Sequence, residues 1–184
     1  EIRNVAPDQL AKDLSPEARA LLPVYNDELI LKTHGTGCYT SQSAMKTFNR
    51  ANEILAEAAE KASVAAGWLA GAAYPTERLR GAWIQFLWHQ FHDDLTGTSI
   101  PQAYQFSWND QLASLNQFAG VLTHATSAVS GLLDTTGTGV PLVVYNPVSM
   151  ERTEAIDATV KLPLGATAVQ VVDTATGASV PAQV

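Results

Sequence analysis

Residues 45–71, MKTFNRANEILAEAAEKASVAAGWLAG, decide the fold. Met45, Phe48, Asn52, Leu55, Ala59, Ala62, Ala66 and Leu69 recur at alternating steps of three and four, which draws one continuous stripe along a helix. Lys46, Arg50, Glu53, Glu57 and Lys61 occupy the other faces, with Glu57 one turn ahead of Lys61 in the favourable order. The many alanines predict close approach to a neighbouring helix. Gly71 to Pro75 ends the element, and Gly67 is a place where it would fray earlier.

Working outward, a second helix is predicted over about Thr76 to Asp93, with Leu79, Trp83, Phe86 and Gln90 on one side. A third opens at Ser99-Ile100-Pro101-Gln102, where Ser99 and Gln102 have capping-box spacing. Its stripe is Tyr104, Trp108, Gln111, Leu115, Phe118, Leu122, Ala125, Val129 and Leu132. Three helices with short connections make an up-down-up bundle, placed at residues 39–135.

The flanks differ from this. Residues 1–38 read as irregular apart from Ser15-Pro16-Glu17, the order of an N-cap, a helix-starting proline and a first-turn acid. That predicts a short helix to Leu21, stopped by Pro23, then a short strand over Glu28–Lys32 and a turn at Gly35-Thr36-Gly37. Beyond the bundle, Thr135–Gly139 is a linker, and the period changes. Leu142–Tyr145 precedes the turn Asn146-Pro147, and Ile156, Ala158, Val160 and Leu162 alternate with polar residues as in a half-buried strand. Val169–Val172 is another strand, and Asp173–Gly177 is a hairpin turn into Ser179-Val180. The predicted fold class is therefore mainly α with a β appendage: a three-helix bundle, then a partial β-sandwich segment over 140–184. So few strands close no sandwich alone, and both ends of the chain read as cut, so the missing strands are expected beyond Val184.

Composition sets outer bounds. Eighteen acidic residues against eleven basic ones give a formal charge of −7, with no basic stripe, which argues against a nucleic-acid surface. No apolar run approaches the roughly 20 residues that cross a bilayer, so a soluble chain is expected. Cys38 stands alone and excludes both an intramolecular disulfide and a cysteine zinc cluster.

Chemistry is expected at Gln90-Phe91-His92-Asp93-Asp94-Leu95-Thr96-Gly97-Thr98, which joins an imidazole and two carboxylates to the end of an aromatic-rich helix. Polar groups removed from water must be paired or bind something. His89, one turn earlier, is read as a bundle or domain-interface residue in preference to a second metal ligand. Asp94 is read as structural or solvent-facing. Trp68, Trp83, Trp88 and Trp108 lie at helical spacing and are read as core. Cys38 has no nearby base, His34 and His124 carry no specific signal, and Asn26-Asp27-Glu28 is read as a turn.

Phe91-His92-Asp93-Asp94-Leu95-Thr96-Gly97-Thr98-Ser99-Ile100 closely resembles the His-Asp-x-(Ile/Leu)-x-Gly-(Thr/Ser) signature of the glycoside hydrolase family 38 alpha-mannosidases. The resemblance extends to Glu28-Leu29, to Gly37-Cys38-Tyr39-Thr40-Ser41-Gln42, and to Lys46, Asn49-Arg50 and Glu53. Downstream it takes in Val143-Val144-Tyr145-Asn146-Pro147 and Arg152, so it covers roughly residues 20 to 155 in order. What it implies is a piece of a zinc-dependent retaining exo-alpha-mannosidase acting on mannose-containing glycans. Residues 1–38 would then be the tail of the catalytic domain, 39–135 the helical middle domain, and 140–184 the start of the C-terminal β domain. His92 matches the single zinc ligand the family's middle domain supplies, and Asp93 the sugar-contacting aspartate. The other zinc ligands and both catalytic carboxylates would lie in a preceding domain, so this chain alone is expected to be inactive and to pack on its missing neighbours. The alternative from a different class is a non-catalytic helical interaction module.

Overall fold

The structure, a computed structural model, describes residues 3–27, 35, 38–162, 164–165 and 168–183. Two short helices, α1 (Gln9–Asp13) and α2 (Pro16–Ala20), precede a 3-10 turn at Cys38–Thr40. Three longer helices follow, α3 (Ser43–Ala70), α4 (Thr76–Trp88) and α5 (Pro101–Ser130), and then an antiparallel pair, β1 (Val171–Val172) and β2 (Ser179–Val180). The molecule is thus mainly helical with a small two-stranded sheet. Among the described residues no helix is long and apolar enough to cross a membrane.

Local chemistry explains the boundaries. Ser15 Oγ accepts the Ala18 N–H at 3.2 Å, and Pro16 takes the first helical position, so α2 starts as its sequence predicts. Helix α3 runs through Gly67 without fraying and stops at Gly71, whose φ of 64° turns the chain left-handed. There the Ala72 N–H returns to the Ala66 carbonyl at 3.2 Å, satisfying an otherwise orphaned acceptor.

Helix α3 lies along α5, and α4 packs mainly on α5. The buried line of α3 is Met45, Asn52, Ala56, Ala59, Ser63 and Ala66. Small side chains on that line bring α5 close. The contact consequently keeps Met45, Asn52, Ala59 and Ala66 of the predicted stripe and takes Ala56 and Ser63 as its other edge, leaving Phe48, Leu55 and Ala62 half-buried and Leu69 exposed. From α5 come Tyr104, Gln111, Phe118 and Ala125 as expected, with Ser107, Ser114 and Val121 one position before the larger residues expected at Trp108, Leu115 and Leu122. Helix α4 contributes Leu79, Ala82 and Phe86. Asn52 donates to the Gln111 carbonyl at 3.0 Å and to its Oε1 at 2.8 Å, while Ser114 Oγ donates to Asn52 Oδ1 at 2.8 Å. This fully buried polar contact fixes the register of α3 on α5, because a slip would part Asn52 from both Gln111 and Ser114.

Several expectations need correction. Trp83 joins the core, edge-on to Phe118 at 5.5 Å, with its indole N–H donating to Glu60 at 2.8 Å. Trp68 and Trp88, however, are 85% and 76% exposed and Trp108 37%, so helical spacing alone misplaced them in the core. Helix α4 ends at Trp88, five residues before Asp93. The amides of His89 and Gln90 bond back three residues, to Phe86 and Leu87, and the chain tightens into turns. The capping box is not formed either: Ile100 is the N-cap residue of α5, and the Ser99 N–H donates to the Tyr104 hydroxyl at 2.9 Å.

In the C-terminal part, Leu142–Tyr145 and Ile156–Leu162 form no strands, since neither finds a ladder partner among the described residues. Tyr145 instead donates its hydroxyl to the Thr126 carbonyl at 2.8 Å and contacts Ser130 Oγ, laying this segment over the end of α5. The hairpin turn forms as predicted: Val171 faces Val180, the Asp173 carboxylate accepts from Ala175 and Thr176, and Gly177 takes a φ of 71°. The strand expected at Glu28–Lys32, His34 and the Thr36-Gly37 part of the turn lie outside the described residues.

Candidate functional site

The segment between α4 and α5 is a chain of tight turns held by its own backbone. Asp94 and Leu95 N–H groups return to the Phe91 carbonyl at 2.9 and 3.1 Å, and Gly97 and Thr98 return to Asp94 and Asp93, each at 3.1 Å. Gly97 has a φ of 87°, and a Cβ there would stand 2.5 Å from the Ser41 carbonyl oxygen, so only glycine lets the loop meet the segment before α3. Lys46 straddles that meeting point, donating to the Ser41 carbonyl and, at 2.9 Å, to the Thr96 carbonyl. Burial pushes its ammonium below the usual lysine range. Gln90 donates to Asn49 at 3.0 Å, and Asn49 donates to Glu53 at 3.0 Å, so the same end of α3 supports the front of the loop.

Two histidine–aspartate pairs occupy this loop. His89 and Asp94 are buried, with Nδ1 of His89 2.5 Å from Asp94 Oδ2 and Nε2 3.2 Å from Asp110 Oδ2. Ser107 Oγ donates to the other Asp94 oxygen at 2.8 Å, and Gln85 donates to Asp110 at 3.3 Å. His92 and Asp93 stand outside, their side chains 76% and 49% exposed, with Nε2 of His92 3.3 Å from Asp93 Oδ2. The Phe91 ring lies 4.2 Å from the imidazole, and Thr98 Oγ1 reaches Asp93 Oδ1 at 3.3 Å. The Asp93 carbonyl accepts the Tyr104 hydroxyl at 3.1 Å.

The expected site residues His92 and Asp93 are therefore adjacent and open to a ligand, while His89 and Asp94 are consumed by the fold. Such a surface offers one imidazole and one carboxylate as donors. Among the described residues no group of three or more His, Cys, Asp or Glu side chains gathers where it would hold a metal ion. Ser107 and Asp110 were missed in the sequence because the stripe of α5 was drawn through Trp108, one residue aside. The available signal was the line Tyr104, Ser107, Gln111, Ser114, a polar edge at the same helical spacing.

This arrangement sits inside a recognisable segment. The family model described as alpha mannosidase middle domain matches residues 33–128, which include all of α3, α4, the loop and nearly all of α5. The chain belongs to that family. It is similar to alpha-mannosidase 2C1 of Mus musculus, 28% identical over 156 residues, covering 82% of this chain and 14% of that protein. It is also similar to alpha-mannosidase G of Dictyostelium discoideum, 33% identical over 128 residues, covering 69% of this chain and 11% of that protein. The chain thus spans about a seventh or less of the curated relatives it matches, and the expected likeness to alpha-mannosidases is borne out.

Proposed function

We propose that this chain is the helical middle portion of a glycoside hydrolase family 38 alpha-mannosidase, a zinc-dependent retaining enzyme that removes terminal alpha-linked mannose from glycans. Helices α3, α4 and α5 are its three-helix bundle. Residues 1–38 are the tail of the catalytic domain, and 140–184 begin the C-terminal β domain. His92 supplies one zinc ligand and Asp93 contacts the sugar. The observation that carries this is the pairing of an exposed imidazole and carboxylate on a loop inside the matched family segment.

The donor set fits a shared metal site. A neutral imidazole is a good zinc ligand, and tetrahedral zinc takes three or four protein ligands. His92 offers one, so the rest come from the preceding domain. A zinc ion held there by His92 and ligands of the preceding domain would supply Lewis-acid chemistry toward sugar hydroxyls. The residues of this chain do the remaining work. The backbone bonds around Phe91–Thr98 hold the imidazole outward. Asp93 accepts a sugar hydroxyl with the oxygen that Thr98 does not occupy, or orients the His92 ring. The nucleophile and acid/base carboxylates, about 5 Å apart in a retaining glycosidase, belong to the preceding domain, so this chain alone does not turn over substrate.

Zinc titration by calorimetry, on this chain and on the full-length parent, tests the proposal alongside an aryl alpha-mannoside assay. Tight zinc and hydrolysis in the parent alone are expected. Tight zinc in the 184-residue chain by itself would replace the shared site with a local one. No zinc and no hydrolysis in the parent would leave a helical interaction module as the better account.

A further inference from the structure

We infer that His89, Asp94 and Ser107 are positioning residues that set where His92 and Asp93 stand, an inference that rests on the proposed mannosidase site. The two buried polar residues of the loop bracket the two exposed ones. His89 is fixed at the end of α4, where its amide still bonds the helix, and both of its ring nitrogens face carboxylates. Asp94 is gripped on both oxygens, one by His89 and one by Ser107 of α5. The loop is thereby tied at residue 89 to one helix and at residue 94 to another. Between these anchors the His92 and Asp93 side chains touch little but each other, Phe91 and Thr98.

Simple helix cohesion does not call for such an array. A well-packed apolar pair would join α4 to α5 without the desolvation cost of a buried imidazole between carboxylates. Hydrogen bonds supply direction instead: they fix the loop's angle as well as its distance. The Tyr104 hydroxyl on the Asp93 carbonyl adds a third point from α5. An outward pair serving a ligand shared between domains needs that definition, because small displacements of a supporting residue cost large factors in rate.

The test uses the full-length parent with Asp94→Ala, Asp94→Asn and Ser107→Ala, and with Val121→Ala as a core control distant from the loop. Zinc content, kcat and KM per zinc-loaded site, melting temperature and amide exchange over residues 89–99 are measured together. Asp94→Ala is expected to lower kcat/KM per loaded site, or zinc affinity, about ten- to hundred-fold and to speed exchange at Asp94, Gly97 and Thr98. Ser107→Ala is expected to cost several-fold and keeps the test alive if the first variant does not fold. Asp94→Asn can still accept from Ser107 and face His89, and should recover most of the loss. Val121→Ala should lower melting and leave kcat/KM per site unchanged. Wild-type constants per site in both Asp94→Ala and Ser107→Ala, with only lower melting, would overturn the positioning role and leave the mannosidase site standing. An inactive, zinc-free wild-type parent would remove both.

Discussion

His89 with Asp94 and His92 with Asp93 are the same chemistry in two settings. The side chains of the first pair are 5% and 12% exposed, and those of the second 76% and 49%. Had α4 continued, residues 89, 92 and 93 would share one face at steps of three and four. Because the helix stops at Trp88, the tight turns separate them, one pair into the seam against α5 and the other onto the crest. A buried polar group must spend its hydrogen-bonding capacity on the protein. An exposed one keeps it for a ligand. Under the proposed function, the seam sets position and the crest supplies the chemistry.

The largest expected effect sits on the crest. In the full-length parent, His92→Ala should remove zinc and nearly all mannoside hydrolysis while the helical bundle still folds, because its side chain stands outside the helical core. Unchanged zinc by elemental analysis would move the ligand elsewhere. Asp93→Asn should keep the metal and slow turnover, because it replaces a charged acceptor with a neutral amide; near-normal kinetics would make the carboxylate structural. Gly97→Ala tests the junction of seam and crest. A left-handed alanine costs about 1–2 kcal/mol, and its Cβ meets the Ser41 backbone, so the loop or the segment before α3 must shift. Lower melting together with a several-fold loss of activity is expected; full activity would show that the crest does not depend on this contact.

Residues 45–70 and 104–125 show what the chain reveals unaided. Their three-and-four spacing predicts both helices and one edge of each buried line, Met45, Asn52, Ala59 and Ala66 on α3 and Tyr104, Gln111, Phe118 and Ala125 on α5. The other edge falls one position aside, through Ala56, Ser63, Ser107 and Ser114. Hydrophobicity marks the bulky edge of a contact, whereas small residues mark where two helices come closest. The His-Asp motif made the likeness to alpha-mannosidases legible in the sequence. The termination of α4 was not legible, because it comes from turns whose anchors, Ser107 and Asp110, lie on another helix. The absent strands at Leu142–Tyr145 and Ile156–Leu162 have a similar cause: alternation describes one strand, and a ladder requires two.

The smallest effect calibrates the comparison. Glu57 and Lys61 on α3 also form an ion pair, one turn apart and facing solvent. The Lys61 hydrogen bond and charge, with a further contribution from Arg50, hold the Glu57 carboxyl below its ordinary value of 4.5. Between the folded and unfolded values the unfolded chain binds more protons, so stability rises with pH there. The contribution is complete above about pH 4.5 and disappears as pH falls through the lower folded value. At 1 M salt the Debye length is about 3 Å, which screens what remains. Glu57→Gln should therefore lower melting slightly at pH 7, and not at all in acid or high salt. Asp94→Ala leaves the buried Nδ1 of His89 without its partner, while the Ser107 hydroxyl keeps the Ala103 carbonyl; such a loss is about 1–3 kcal/mol and should persist in salt. Equal losses from the two substitutions at pH 7 would mean that burial does not distinguish the pairs, and the division between seam and crest would fall.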